Sequence, residues 1–186
     1  NFQVHYPGAG VGGPCLPINS YQLLNTAKRT GSFLSIIESG RKINEKMPDH
    51  VIELVTSAFN ECNKTIKNSS ILILGISYKP NVKDIQLTPA EIVIKNLQDL
   101  GSKIYIFDPY FRNEKVFGIT VEDNIETIME NVDGTIIITA HDEFKNIPIS
   151  TFSKMPIPLL IDTRGIIDPN EVKQENIIFR GLGRGC

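Results

Sequence analysis

From Ile71 onward the chain alternates short runs rich in β-branched and aromatic residues with stretches of helical periodicity, and this alternation constrains the architecture most. The runs are Ile71–Leu74, Lys103–Phe107, Thr135–Thr139, Leu159–Asp162 and Ile177–Arg180. Between them, Pro89–Leu100 has helical spacing and stops before Gly101, a residue suited to a helix C-terminus; Glu122–Glu130 reads as a second helix. Repeated strand–helix units imply an α/β fold, a parallel sheet with flanking helices. Such sheets bind ligands beyond the carboxyl ends of their strands. Those ends read Gly75-Ile-Ser-Tyr-Lys-Pro, Asp108-Pro-Tyr, Ala140-His-Asp and Asp162-Thr-Arg-Gly.

The first third has a different texture. Leu23, Leu24 and Ala27, then Phe33, Leu34, Ile36 and Ile37, then Val51, Leu54, Val55, Ala58 and Phe59 recur at intervals of three and four. Gly31, Gly40 and Pro48 are expected to divide this region into two or three helices, with Pro48 and Asp49 in a first turn. The polar stretch Asn63–Ser70 puts a boundary near Ser69. With 186 residues, 41% of them hydrophobic, one sizeable core with an appendage is expected. Charges nearly cancel, 19 basic against 21 acidic, which argues against a nucleic-acid partner or a polybasic membrane anchor. No run approaches a membrane span and Asn1–Gly10 lacks a signal-peptide pattern, so the expectation is a cytoplasmic protein. Cys15, Cys62 and Cys186 are too scattered for a disulfide framework or a metal site.

One of these cysteines stands in an unusual loop, Pro7-Gly-Ala-Gly-Val-Gly-Gly-Pro-Cys-Leu-Pro. Glycines there let backbone amides approach a ligand, while prolines restrict the loop. A thiol so held, just before a helix expected to start near Ser20, is suited to act as a nucleophile; the alternative is a small buried residue in a tight turn. Asp108 ends a strand where a dinucleotide fold places a ribose-binding acid, yet Gly75-Ile-Ser-Tyr-Lys-Pro is not Gly-x-Gly-x-x-Gly, so this sheet is not expected to bind NAD. His141 ends another strand and reads as structural.

Gly10-Val-Gly-Gly-Pro-Cys-Leu-Pro is similar to the active-site loop of the UDP-glucose/GDP-mannose dehydrogenase family of nucleotide-sugar 6-dehydrogenases, nearest the UDP-N-acetylmannosamine subgroup. Four further segments resemble that family in order: Arg41-Lys-Ile-Asn-Glu-Lys-Met-Pro, Gly75-Ile-Ser-Tyr-Lys-Pro-Asn-Val-Lys-Asp-Ile, Tyr105-Ile-Phe-Asp-Pro-Tyr and Ile161-Asp-Thr-Arg-Gly. The resemblance implies a Rossmann-like domain and a double, NAD-dependent oxidation of a sugar C6 alcohol to a carboxylate. Cys15 falls on the catalytic cysteine. Lys79 and Arg164 match cations that hold the UDP-sugar, and Gly12 and Gly13 belong to its loop. A solvated loop lysine is the plain alternative for Lys79. Tyr78 either packs on the sugar nucleotide or fills the core, and Asp84 matches the motif aspartate but also suits a cap.

Two positions depart from the family pattern. Asn19 stands where a carboxylate assists the covalent chemistry, and Gln86 stands where an arginine reaches the cofactor's phosphates. The expected organisation is a cysteine loop over residues 1–20, a helical interdomain and dimerisation segment over 21–68, and a UDP-sugar-binding domain over 69–186. The family's N-terminal NAD-binding domain has no counterpart here, so the chain alone is expected to be inactive. UDP-N-acetylmannosamine is the favoured substrate and UDP-glucose the next; the rival is a noncatalytic UDP-sugar-binding or assembly module.

Overall fold

A computed structural model describes residues 6–184; Asn1 and Cys186, both used in the sequence reading, lie outside the described residues. Strand β1, Ser70–Leu74, runs through the middle of the sheet. Ile71 and Ile73 enter a core containing Val51, Val55, Phe59, Val93 and Leu97, while Leu72 and Leu74 enter a second core with Met129, Phe144 and Phe152. A strand covered on both faces has no solvent side, hence its unbroken apolar run.

The other strands are β2 Lys103–Phe107, β3 Lys115–Val116, β4 Ile119–Glu122, β5 Gly134–Ile137, β6 Leu159–Asp162 and β7 Ile178–Gly181, in the spatial order β3-β4-β2-β1-β5-β6-β7. Every pairing is parallel except that of β3 with β4. The expected Rossmann-like α/β architecture is therefore present, with one antiparallel edge hairpin. The chain leaves β1 for β2 on one side and returns to β5 on the other, so the order reverses beside β1 and opens a crevice at the carboxyl ends of β1 and β5.

Helices α1 (Leu16–Arg29) and α2 (Ser35–Glu61) precede the sheet. The second half of α2 and α3 (Pro89–Asp99) cover the first core, with Gly101 at φ +88° just past α3. Short helices α4 (Ile125–Met129), α5 (Ile149–Phe152) and α6 (Pro169–Gln174), with a 3-10 turn at Asp142–Asn146, cover the second. No helix among the described residues is long and apolar enough to cross a membrane, and they hold no cluster of potential metal ligands.

Three expectations need correction, and one element was not expected. Gly31 separates two helices, but Gly40 and Pro48 lie inside α2, which is unbroken for 27 residues. Pro48 forfeits one intrahelical bond at a cost of about 3 kcal/mol, whereas Val51, Val55, Ala58 and Phe59 beyond it are fully buried, the larger ones contributing roughly 1.5–3 kcal/mol each. Packing wins. The first helix starts at Leu16 rather than near Ser20, because Pro17 fits a first turn. The second expected sheet helix is only Ile125–Met129, capped by Asn124, and Glu122 instead ends β4. The hairpin Lys115–Glu122, with strands of only two and four residues, was not anticipated.

Candidate active site

The cysteine loop is built by close backbone approach. Gly13 donates its N–H to the Gln86 carbonyl at 2.9 Å, and a Cβ at Gly13, whose φ is +87°, would stand 2.7 Å from the Tyr78 ring. At Gly12 a Cβ would come within 2.3 Å of the Leu87 carbonyl oxygen. Only glycine permits either contact. Leu87 itself has φ +49°, an unfavourable conformation for a branched side chain that aims this carbonyl at the loop. Next to Gly12, Val11 is bracketed by Asn44 of α2, whose Oδ1 accepts the Val11 N–H at 2.7 Å and whose Nδ2 donates to the Val11 carbonyl at 3.3 Å.

These clasps deliver Cys15 to the N-cap position of α1, exposed, which excludes the reading as a small buried turn residue. Asn19 is also exposed and donates its N–H to the Cys15 carbonyl at 2.9 Å. Residues four apart share a helix face. The structure therefore puts a free thiol and an amide side chain on the same edge.

Beyond β1 the chain forms the loop that carries Lys79. Tyr78 is half-buried under Gly13, and its N–H donates to the Asp84 carbonyl at 3.0 Å. Asp84 uses its carboxylate to accept the Gln86 N–H at 2.9 Å, a local turn, while the cap of α3 is Thr88. Lys79 is exposed and makes no ion pair among the described residues. Gln86 is exposed and meets the cysteine loop through its carbonyl.

Asp108, at the end of β2, is fully buried rather than open to a ribose. Its carboxylate accepts the Ile76 N–H at 2.8 Å, the Tyr110 N–H at 2.9 Å and His141 Nε2 at 3.1 Å. Burial pushes its pKa up, but these hydrogen bonds outweigh burial and leave it below the ordinary aspartate value. At the end of β6, Asp162 accepts the N–H groups of Arg164 and Gly165 at 2.8 Å and of Ile167 at 2.9 Å, fixing the turn. Arg164 reaches the start of the cysteine loop, donating to the Pro7 carbonyl at 2.9 Å. Burial lowers its pKa and the Asp162 charge opposes that shift.

A cleft of about 610 Å³ opens at this carboxyl edge, lined among others by Pro7, Asn81, Lys145, Arg164 and Arg184. The structure thus seats Gly13 on Tyr78 and Gly12 on the Leu87 backbone, and ties Arg164 to the same loop. Sequence reasoning missed Asn44, though Arg41–Pro48 was singled out, and the Asp108–His141 pair. An Asp and a His at the ends of two strands, which prove to flank β1, were the available signal.

Residues 72–169 match the UDP-binding domain of the UDP-glucose/GDP-mannose dehydrogenase family, and residues 1–46 match its central domain. Among curated relatives, the UDP-N-acetyl-D-mannosamine dehydrogenase of Pyrococcus horikoshii is 34% identical over 98% of this chain and 41% of its own length. The UDP-glucose 6-dehydrogenase of Bacillus subtilis is 30% identical over 95% of the chain and 39% of its own. The solved structure of the P. horikoshii UDP-D-ManNAc dehydrogenase superposes with a TM-score of 0.86 at 33% identity, covering 100% of this chain and 41% of that one. The chain spans about two fifths of the length of the relatives it matches.

Proposed function

The chain belongs to the UDP-glucose/GDP-mannose dehydrogenase family, and on that premise we propose that it is the C-terminal, sugar-nucleotide-binding portion of an NAD-dependent nucleotide-sugar 6-dehydrogenase. The observation that carries the reading is the clasp between the cysteine loop and the Lys79 segment, with Gly13 bonded to Gln86 and seated on Tyr78. It couples a nucleophile to a cationic strand-end loop.

In this reading Lys79 and Arg164 bind the diphosphate, and Gly12 and Gly13 keep the loop's backbone in place beside the sugar. The Cys15 thiol adds to the C6 aldehyde carbon, its proton passing to the carbonyl oxygen. Loss of hydride from that carbon to NAD, and of the hydroxyl proton to solvent, leaves a thioester; water then adds and breaks the carbon–sulfur bond, releasing the carboxylate and the thiol. The first turn after β1 is filled by Tyr78 and the cysteine loop, and Asp108 is enclosed by three donors, so this sheet does not fit NAD. Hydride acceptance belongs to a dinucleotide-binding domain outside these residues.

UDP-N-acetylmannosamine is the favoured substrate and UDP-glucose the next, in keeping with the relatives named above. Asn19 and Gln86 favour one alternative, a noncatalytic UDP-sugar-binding or assembly module. Calorimetric titration of the chain with UDP tests the binding reading. Lys79→Ala and Arg164→Ala should each cost about 1–3 kcal/mol; unchanged affinity in both would place the pocket elsewhere.

A further inference from the structure

His141 is fully buried at the end of β5, where both ring nitrogens are engaged. The Asn81 N–H donates to Nδ1 at 2.9 Å, and a backbone amide can only donate, so Nδ1 carries no proton. The proton is on Nε2 and is donated to Asp108 Oδ2 at 3.1 Å. Asp108 in turn holds the Ile76 N–H. The loop that carries Lys79 is thereby fixed at both feet, Ile76 by Asp108 and Asn81 by His141.

Further bonds brace the same loop. The Asn81 side chain and Asp142 exchange two hydrogen bonds, Nδ2 to Oδ2 at 2.7 Å and the Asp142 N–H to Oδ1 at 3.0 Å. Thr139 Oγ1 donates to the Ser77 carbonyl, and Ser77 Oγ to that of Val82, both at 2.6 Å. Asn81 has φ +59°, a left-handed conformation that an asparagine tolerates when local bonds hold it. The Lys79 side chain is exposed on this braced backbone. A mobile four-carbon side chain binds an anion best when its base is already fixed, because less ordering remains to be done on binding.

We propose that His141 is a positioning residue which, as the Nε2–H tautomer, anchors the Lys79 loop and so sets its grip on the diphosphate of a nucleoside diphosphate; the inference rests on the nucleotide-binding reading above. It acts through Lys79. Its loss should therefore matter only where Lys79 is present, which a merely structural role would not produce.

The test is a thermodynamic cycle of UDP titrations on the chain. His141→Gln should weaken binding about tenfold, with no further loss when added to Lys79→Ala. His141→Asn, whose Oδ1 can replace Nδ1 as acceptor, should retain most of the affinity. Because His141 is buried, the exposed Asp142→Ala supplies a second variant that frees the same loop, with a loss of about threefold that again vanishes beside Lys79→Ala. Full affinity in both His141→Gln and Asp142→Ala, or losses undiminished beside Lys79→Ala, overturn the proposal. Nitrogen-15 spectra of the imidazole should report an unprotonated Nδ1; the opposite tautomer overturns it without any ligand. If the unsubstituted chain binds no UDP, it is the nucleotide reading that fails.

Discussion

Asp108 orders the site from the interior, since its one carboxylate receives two backbone amides and His141. Its folded-state pKa is depressed, so the stability it contributes is fully present above the unfolded value of about 3.9 and is lost as pH falls through the lower folded value. Asp108→Asn should lower unfolding stability by about 1–3 kcal/mol at neutral pH. That deficit should begin to shrink below about pH 4, where the unfolded carboxyl takes up a proton before the native one does. Urea unfolding of both proteins between pH 7 and 3 measures this; a deficit independent of pH would mean that the charge does not matter. The sequence showed an aspartate at a strand end, but whether such a group faces a ligand or the interior depends on which strand lies beside it. His141 comes from β5, which neighbours β1 and not β2.

At the scale of elements, the helical arm stands out because it leaves apolar surface uncovered. Phe33 is 95% exposed, Ile36 87% and Ile43 64%, and a cleft of about 580 Å³ lies between α1 and the first half of α2. Clustered apolar exposure of this kind marks an interaction surface. We propose that it is the surface for self-association through residues 21–68. Light scattering should report a dimer, and Phe33→Ser with Ile36→Glu should shift it towards monomer at micromolar concentration without loss of helical signal. A strictly monomeric starting chain would contradict this. The five parallel strands other than β4 were legible from their runs of β-branched and aromatic residues, and α3 from its helical spacing and the glycine past it. The length of α2 was not, because Pro48 and Gly40 oppose helix locally and only the sheet packed beneath the far end overrules them.

Across the whole molecule, the site is an assembly of segments far apart in sequence. The cysteine loop touches α2 through Asn44, the β1–α3 connection through Gln86 and Tyr78, and the end of β6 through Arg164. The residue types were visible in the glycine-rich loop and the Lys79 motif. What the sequence hid is that Gly12 and Gly13 press against this chain's own backbone and aromatic ring, a partner only the fold supplies. The central claim is that Cys15 forms a covalent link to the oxidised sugar, and Asn19, one helical turn on, makes it testable. An amide cannot take a proton from water as a carboxylate can, so hydrolysis of the thioester should be slow. The decisive measurement uses the chain within a protein that also has the dinucleotide-binding domain, supplied with UDP-N-acetylmannosamine or UDP-glucose and NAD. The account predicts a burst of NADH, a slow steady rate and a Cys15-linked sugar by mass spectrometry, with Asn19→Asp raising the steady rate by about 10²-fold and leaving the burst nearly unchanged. No burst, no adduct at Cys15 and no effect of Cys15→Ser would contradict it and leave the noncatalytic module as the better reading.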